Sequence, residues 1–169
     1  MRRAGFGRSL AAAVLVLCAA QAAPAQNRIA SEGWEGFATR SAEDKFDSCI
    51  LYNRSIDALN LSQFDMLALT RDAAGDVGLM VFYSPRTLTR GPKVTMTLRI
   101  DQHEPVTLVG EVPSDFHIIA GPLAPHTMLE LRDAKAIEAT TEGHTIRFTV
   151  SGVGDALSEL ATCAAENGG

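Results

Sequence analysis

The sequence predicts a mainly β protein, an antiparallel β-sandwich or barrel of about eight to nine short strands with a short C-terminal α-helix. Three observations carry that expectation. Glycine and proline recur at fairly regular intervals between short apolar runs, the punctuation of strands joined by turns. Val94, Met96, Leu98 and Ile100 alternate with Thr95, Thr97 and Arg99, the period of a half-buried strand. Near the end of the chain, Ala156, Leu157, Leu160, Ala161 and Ala164 recur at helical spacing instead.

The chain opens with Arg2, Arg3 and Arg8 ahead of an uncharged Ala/Leu/Val-rich run from Leu10 to Ala20 and a small-residue stretch from Gln21 to Gln26. That order is the one found in secretory signal peptides. The apolar run is about half of the roughly 20 residues a helix needs to cross a bilayer, so no membrane span is expected in the mature form. Ala20-Gln21-Ala22 and Ala23-Pro24-Ala25 both offer a cleavage motif; the second gives a signal peptide over 1–25 and a mature start at Gln26. Ala4-Gly5-Phe6 does not continue a twin-arginine pattern, and Leu17 stands before Cys18 where lipoprotein processing needs a small residue. The general secretory route is therefore expected, with Cys18 discarded.

Residues 26–33 read as a short exposed leader, 34–165 as one β-rich domain and 166–169 as a tail. Within the domain, Trp34 to Thr39 and Phe46 to Asn53 read as the first two strands. Phe64 to Thr70 and Val77 to Tyr83 make a hairpin, because Ala73-Ala74-Gly75-Asp76 offers a tight connection. After the alternating strand Val94 to Ile100 come Pro105 to Val112 and Phe116 to Ala120, separated by Pro113-Ser114-Asp115. Met128, Leu129 and Leu131 within His126 to Lys135 suggest a short surface helix. Ala136 to Thr141 and His144 to Val150 form a hairpin around Glu142-Gly143, and an amphipathic helix over Gly154 to Ala165 closes the domain. The aromatics Trp34, Phe37, Phe46, Phe64, Phe82, Phe116 and Phe148 are expected in the core.

Charge and cysteine count narrow the function classes. The signal peptide holds three of the 15 Lys and Arg and none of the 20 Asp and Glu, which leaves 12 basic against 20 acidic residues, about −8. Binding to nucleic acid or anionic lipid needs basic clusters, so neither is expected as a partner. Cys49 and Cys163 are the cysteines that remain, and in an oxidising compartment an even pair reads as a disulfide. A bridge closing a loop of more than a hundred residues stabilises by about 4 to 5 kcal/mol in the chain-entropy treatment.

Chemical signatures are sparse. His103, His117, His126 and His144 are scattered singly, without paired spacing for zinc. Asp101, His103 and Glu104 share one loop and offer a weak metal or acid–base grouping, against the commoner reading of a solvated turn. The sequence carries neither a G-x-S-x-G elbow nor a glycine-rich phosphate loop. No catalytic residue, cofactor or metal site is therefore assigned. Arg86, Arg90 and Lys93 form a basic cluster in the Ser84 to Lys93 segment that is a candidate partner-binding loop, against the reading of a solvated connection. Asn53-Arg54-Ser55 and Asn60-Leu61-Ser62 match the N-glycosylation pattern, which bears on function only in a eukaryotic host.

A first strand bearing Trp34, Cys49 in the second, the Ile100-Asp101 pair, and an ending Phe148-Thr149-Val150-Ser151-Gly152 followed by Ala156-Leu157, Leu160 and Cys163 together resemble small periplasmic proteins of alphaproteobacteria. The group they resemble is the invasion-associated locus B family, over most of residues 34–165, with a longer Trp34-to-Cys49 spacing here. The resemblance implies a secreted, disulfide-bonded β-sandwich without known catalysis. The expectation is a non-enzymatic periplasmic or secreted accessory domain that binds an extracytoplasmic protein. The alternative is an inhibitor or immunity-type protein acting on a secreted hydrolase through Arg86 to Lys93 or Asp101 to Glu104.

Overall fold

The computed structural model describes residues 28–53, 65–83 and 88–168. The expected signal peptide, Phe64, Asn60 and Arg86 lie outside them. Among the described residues, ten strands and two helices follow in order: β1 Arg28–Ser31, β2 Trp34–Arg40, β3 Phe46–Asn53, β4 Met66–Asp72, β5 Val77–Phe82, β6 Gly91–Ile100, β7 Val106–Ser114, β8 His117–Ala120, α1 Pro125–Arg132, β9 Ala136–Thr141, β10 His144–Thr149 and α2 Val153–Asn167. All ten strands belong to one antiparallel sheet in the spatial order β1-β2-β3-β4-β5-β8-β7-β6-β9-β10. The mainly β expectation stands, with the strands in a single ladder.

The additional strand falls where an exposed leader was expected. Arg28–Ser31 pairs with β2 from Arg28 opposite Phe37 to Ser31 opposite Trp34, and Ile29 is buried. Four residues are too few to show a period of two, so the pairing partner rather than the local pattern makes this segment a strand.

Side-chain alternation sets the two faces of the sheet. On the inner face, Leu67 and Leu69 of β4, Leu79 and Val81 of β5, Met96, Leu98 and Ile100 of β6, and Ile118 of β8 are buried to 2% exposure or less. α2 covers part of this face, packing on β1 to β4 through Ala156, Leu160 and Cys163. The helix joins the sheet covalently, since Cys163 is bridged to Cys49 of β3 with the two Cα atoms 6.3 Å apart. That separation lies in the ordinary range for a disulfide.

The sheet curls so that the β1–β2 turn reaches the segment just after β10. Trp34, fully buried at the start of β2, donates its indole N–H to the Ser151 carbonyl just after β10, at 2.7 Å. Beside it Gly152 adopts φ 63°, and a Cβ there would sit 2.9 Å from the Glu32 carbonyl oxygen. Both the left-handed backbone and the close approach favour glycine. Ile137 and Ala139 of β9 with Phe148 of β10 complete the core at this end.

Candidate functional site

The outer face of the sheet departs from the polar pattern expected of a solvent-facing antiparallel sheet. Along β4 and β5 the apolar residues are consecutive, Leu67-Ala68-Leu69 and Leu79-Met80-Val81, so both faces of these strands are apolar. The register brings outward residues into rows: Phe37 of β2 lies opposite Ile50 of β3, which lies opposite Thr70 of β4. Met80 of β5 faces Ile119 of β8, and two positions along the same pair Phe82 faces His117. Val109 of β7 and Phe37 remain 59% and 39% exposed. Partly exposed apolar side chains thus run across the middle of the sheet.

This face holds a groove of about 730 Å³ that touches seven adjacent strands, from β2 through β3, β4, β5, β8 and β7 to β6. Ile50, Met80, Ile119 and Val109 form its apolar part. Among the described lining residues, Asp47, Asp72, Asp76 and Glu111 are exposed carboxylates and Lys93 is the cation. The Asp72 carboxylate accepts the Asp76 backbone N–H at 2.9 Å, and the Asp47 carboxylate accepts the Thr39 hydroxyl at 3.2 Å. The turn bond holds the Asp72 carboxylate in place, and both side chains are exposed. Gly110 lets β7 come close to β8: a Cβ there would lie 2.3 Å from the Ile119 carbonyl oxygen.

An aromatic group continues the same face beyond the groove. Phe82, Phe116 and His117 have ring centroids 5.0 to 6.1 Å apart, and Phe116 is 36% exposed. Burial against these rings lowers the His117 pKa from its ordinary value. Its Nδ1 sits 2.5 Å from Ser114 Oγ, across the turn that joins β7 to β8. A neutral ring carrying its proton on Nε2 accepts the Ser114 hydroxyl there. Phe37 and Phe116, expected in the core, therefore stand on the surface, while Trp34 and Phe148 are buried as expected.

The loop residues suggested by the sequence do not converge. Asp101 sits at φ 47° and its carboxylate accepts the backbone N–H groups of Lys135, at 3.2 Å, and Ala136, at 2.7 Å. It fastens the start of β9 to the end of β6. His103 points instead toward Glu130 of α1, with Nδ1 3.6 Å from the carboxylate, and Glu104 is exposed. Among the described residues, no group of three His, Cys, Asp or Glu is arranged to hold a metal. Of the basic cluster, Lys93 lines the groove, Arg90 is exposed before β6, and Arg86 lies outside the described residues. Asn53 of the first sequon is buried at the end of β3. No helix among the described residues is long and apolar enough to cross a membrane.

The sequence reading missed the acidic groove because its carboxylates come from β3, the β4–β5 hairpin and β7, far apart in the chain. The available signal was the run of consecutive apolar residues in β4 and β5, which marks strands with two faces to cover.

No protein-family model matches this chain, and no curated protein does. Among solved structures, the fold is similar to that of invasion associated protein B from Bartonella henselae. The identity is 13%, the TM-score is 0.52, and the match covers 77% of this chain and 92% of that one. At this identity the likeness is one of fold. It agrees at that level with the resemblance drawn from the sequence.

Proposed function

We propose that this protein is an exported, non-enzymatic binding protein that receives a partner protein on the outer face of its sheet. The observation that carries the reading is the apolar surface of Phe37, Ile50, Met80, Val109 and Ile119 on a face that the chain's own helices leave uncovered among the described residues. A contiguous apolar patch with a polar rim is the usual mark of a protein-binding surface. The regular ladder beneath it supplies a preformed platform, which limits the ordering cost of association. Export is supported by the basic, apolar and small-residue order of residues 1–25 and by the Cys49–Cys163 bridge, a linkage that persists in oxidising compartments.

Two experiments test the two halves of this reading. Intact mass of the protein from its native host, before and after reduction, is expected to fit a start near Gln26 with one disulfide. An unprocessed mass or two freely labelled thiols removes the export argument. Quantitative recovery of extracytoplasmic proteins on immobilised wild-type protein, compared with Ile119→Asn and Val109→Ser variants, tests the face. Loss of the same bound protein from both variants, with folding intact, is expected; equal recovery by all three contradicts the reading. Assaying a recovered hydrolase within its complex separates an inhibitor from an accessory protein.

A further inference from the structure

The groove also specifies the chemistry of what it binds, an inference that rests on the binding reading above. Its centre is aliphatic, so water is displaced favourably there by an apolar side chain at about 25 cal/mol per Å² covered. Among the described residues, its margin carries the carboxylates Asp47, Asp72, Asp76 and Glu111, with Lys93 as the lining cation. An anionic partner meets like charge at these carboxylates and loses its own hydration without compensation. A neutral apolar partner leaves the carboxylates facing its flanks, whereas Lys or Arg side chains bury their apolar stems on the floor and bring their heads to the rim.

We infer that the groove takes a cationic, amphipathic segment of a partner protein, with aliphatic side chains on Ile50, Met80, Ile119 and Val109 and Lys or Arg heads at Asp47, Asp72, Asp76 and Glu111. Seven adjacent strands spaced about 4.8 Å apart give an arc of about 29 Å along the curled face, an upper bound on its straight span. A helix of about 19 residues is the longest that this arc accommodates. The rim charges are exposed, so the electrostatic part of the recognition is screened over about 8 to 10 Å at physiological salt. Recognition of this kind weakens as salt is added, while its apolar part persists.

The test uses the oxidised mature protein and fluorescently labelled peptides of about 19 residues, the upper helical length set by the face. One is a Leu/Lys amphipathic peptide, one its Leu/Glu counterpart, and one a Ser/Lys peptide of the same charge without an apolar face. The Leu/Lys peptide is expected to bind most tightly, more weakly at about 300 mM than at about 50 mM salt. Removing two rim charges with Asp72→Asn and Glu111→Gln is expected to weaken it about three- to tenfold, the combined scale of two exposed ion pairs.

A matched pair away from the groove, Glu104→Gln with Glu166→Gln, is expected to leave binding within about twofold, because screening confines the effect to nearby charges. Met80→Ser is expected to weaken binding at all salt concentrations, with Trp34 fluorescence confirming that each variant is folded. Equal weakening by the two charge pairs, or equal binding of the Ser/Lys peptide, reduces the effect to general attraction toward an acidic protein and overturns the proposal. Preference for the Leu/Glu peptide, with binding still lost in Met80→Ser, overturns the cationic assignment and leaves the binding face standing. Failure of all three peptides, together with unchanged recovery by the Ile119→Asn protein, removes both.

Discussion

Trp34 joins the start of the sheet to its end through one hydrogen bond and a fully buried ring. Trp34→Phe keeps most of the apolar area but leaves the Ser151 carbonyl unpaired, a loss of about 1 to 3 kcal/mol. Urea unfolding followed by circular dichroism measures it, and a change below about 0.5 kcal/mol, the usual size for an uninvolved surface position, contradicts the assigned role. Asp101 acts in the same structural way, accepting two backbone N–H groups across the β6–β9 pair. Asp101→Ala is expected to cost about 1 to 3 kcal/mol by stranding those donors, while Asp101→Asn retains an acceptor and loses less. His117 brings pH into the balance. Its folded pKa lies below the unfolded one because burial disfavours the charged ring. Between the two values the unfolded state holds more protons, so stability falls as pH drops from about 6.5 toward the folded midpoint, and His117 contributes no slope above that window. An NMR titration midpoint at or above 6.5 removes this account; His117→Phe is expected to flatten the acid-side decline in urea midpoints.

At the scale of elements, the disulfide ties α2 to the β3 strand it covers. The bridge spans a sequence separation of 114 residues, and replacing both cysteines with alanine is expected to cost about 4 to 5 kcal/mol in non-reducing urea melts. A loss below about 1 kcal/mol shows that the reduced chain is already constrained and that the bridge adds little. These elements also separate what the sequence discloses from what it conceals. β6 and β10 were readable because alternation reports a single buried face, and α2 because its apolar residues follow a helical period. The Cys49–Cys163 pair was readable from cysteine number and expected compartment. β1 was not, since its four residues pair through backbone groups that carry no residue code. Phe37 and Phe116 were placed in the core because aromatics at alternate positions usually face inward; register puts Phe37 in the outward row with Ile50.

For the molecule as a whole, one curled sheet presents a core face and a second apolar face that the described helices leave uncovered. The Leu67-Ala68-Leu69 and Leu79-Met80-Val81 runs record that duality locally, but the acidic groove exists only after β3, β4, β5, β7 and β8 are placed side by side. That is why the fold class was readable from the chain while the surface was not. The fold likeness to invasion associated protein B concerns the platform; the binding proposal rests on the side chains this chain places on it. Site-specific photocrosslinking in the native host tests the central claim most directly. A photoreactive residue at position 119 or 50 is expected to capture one discrete partner, while one at Thr145, exposed on the edge strand β10, does not. Capture from Thr145 as strong as from the face, or no capture from 119 and 50 with the protein folded and exported, contradicts the account.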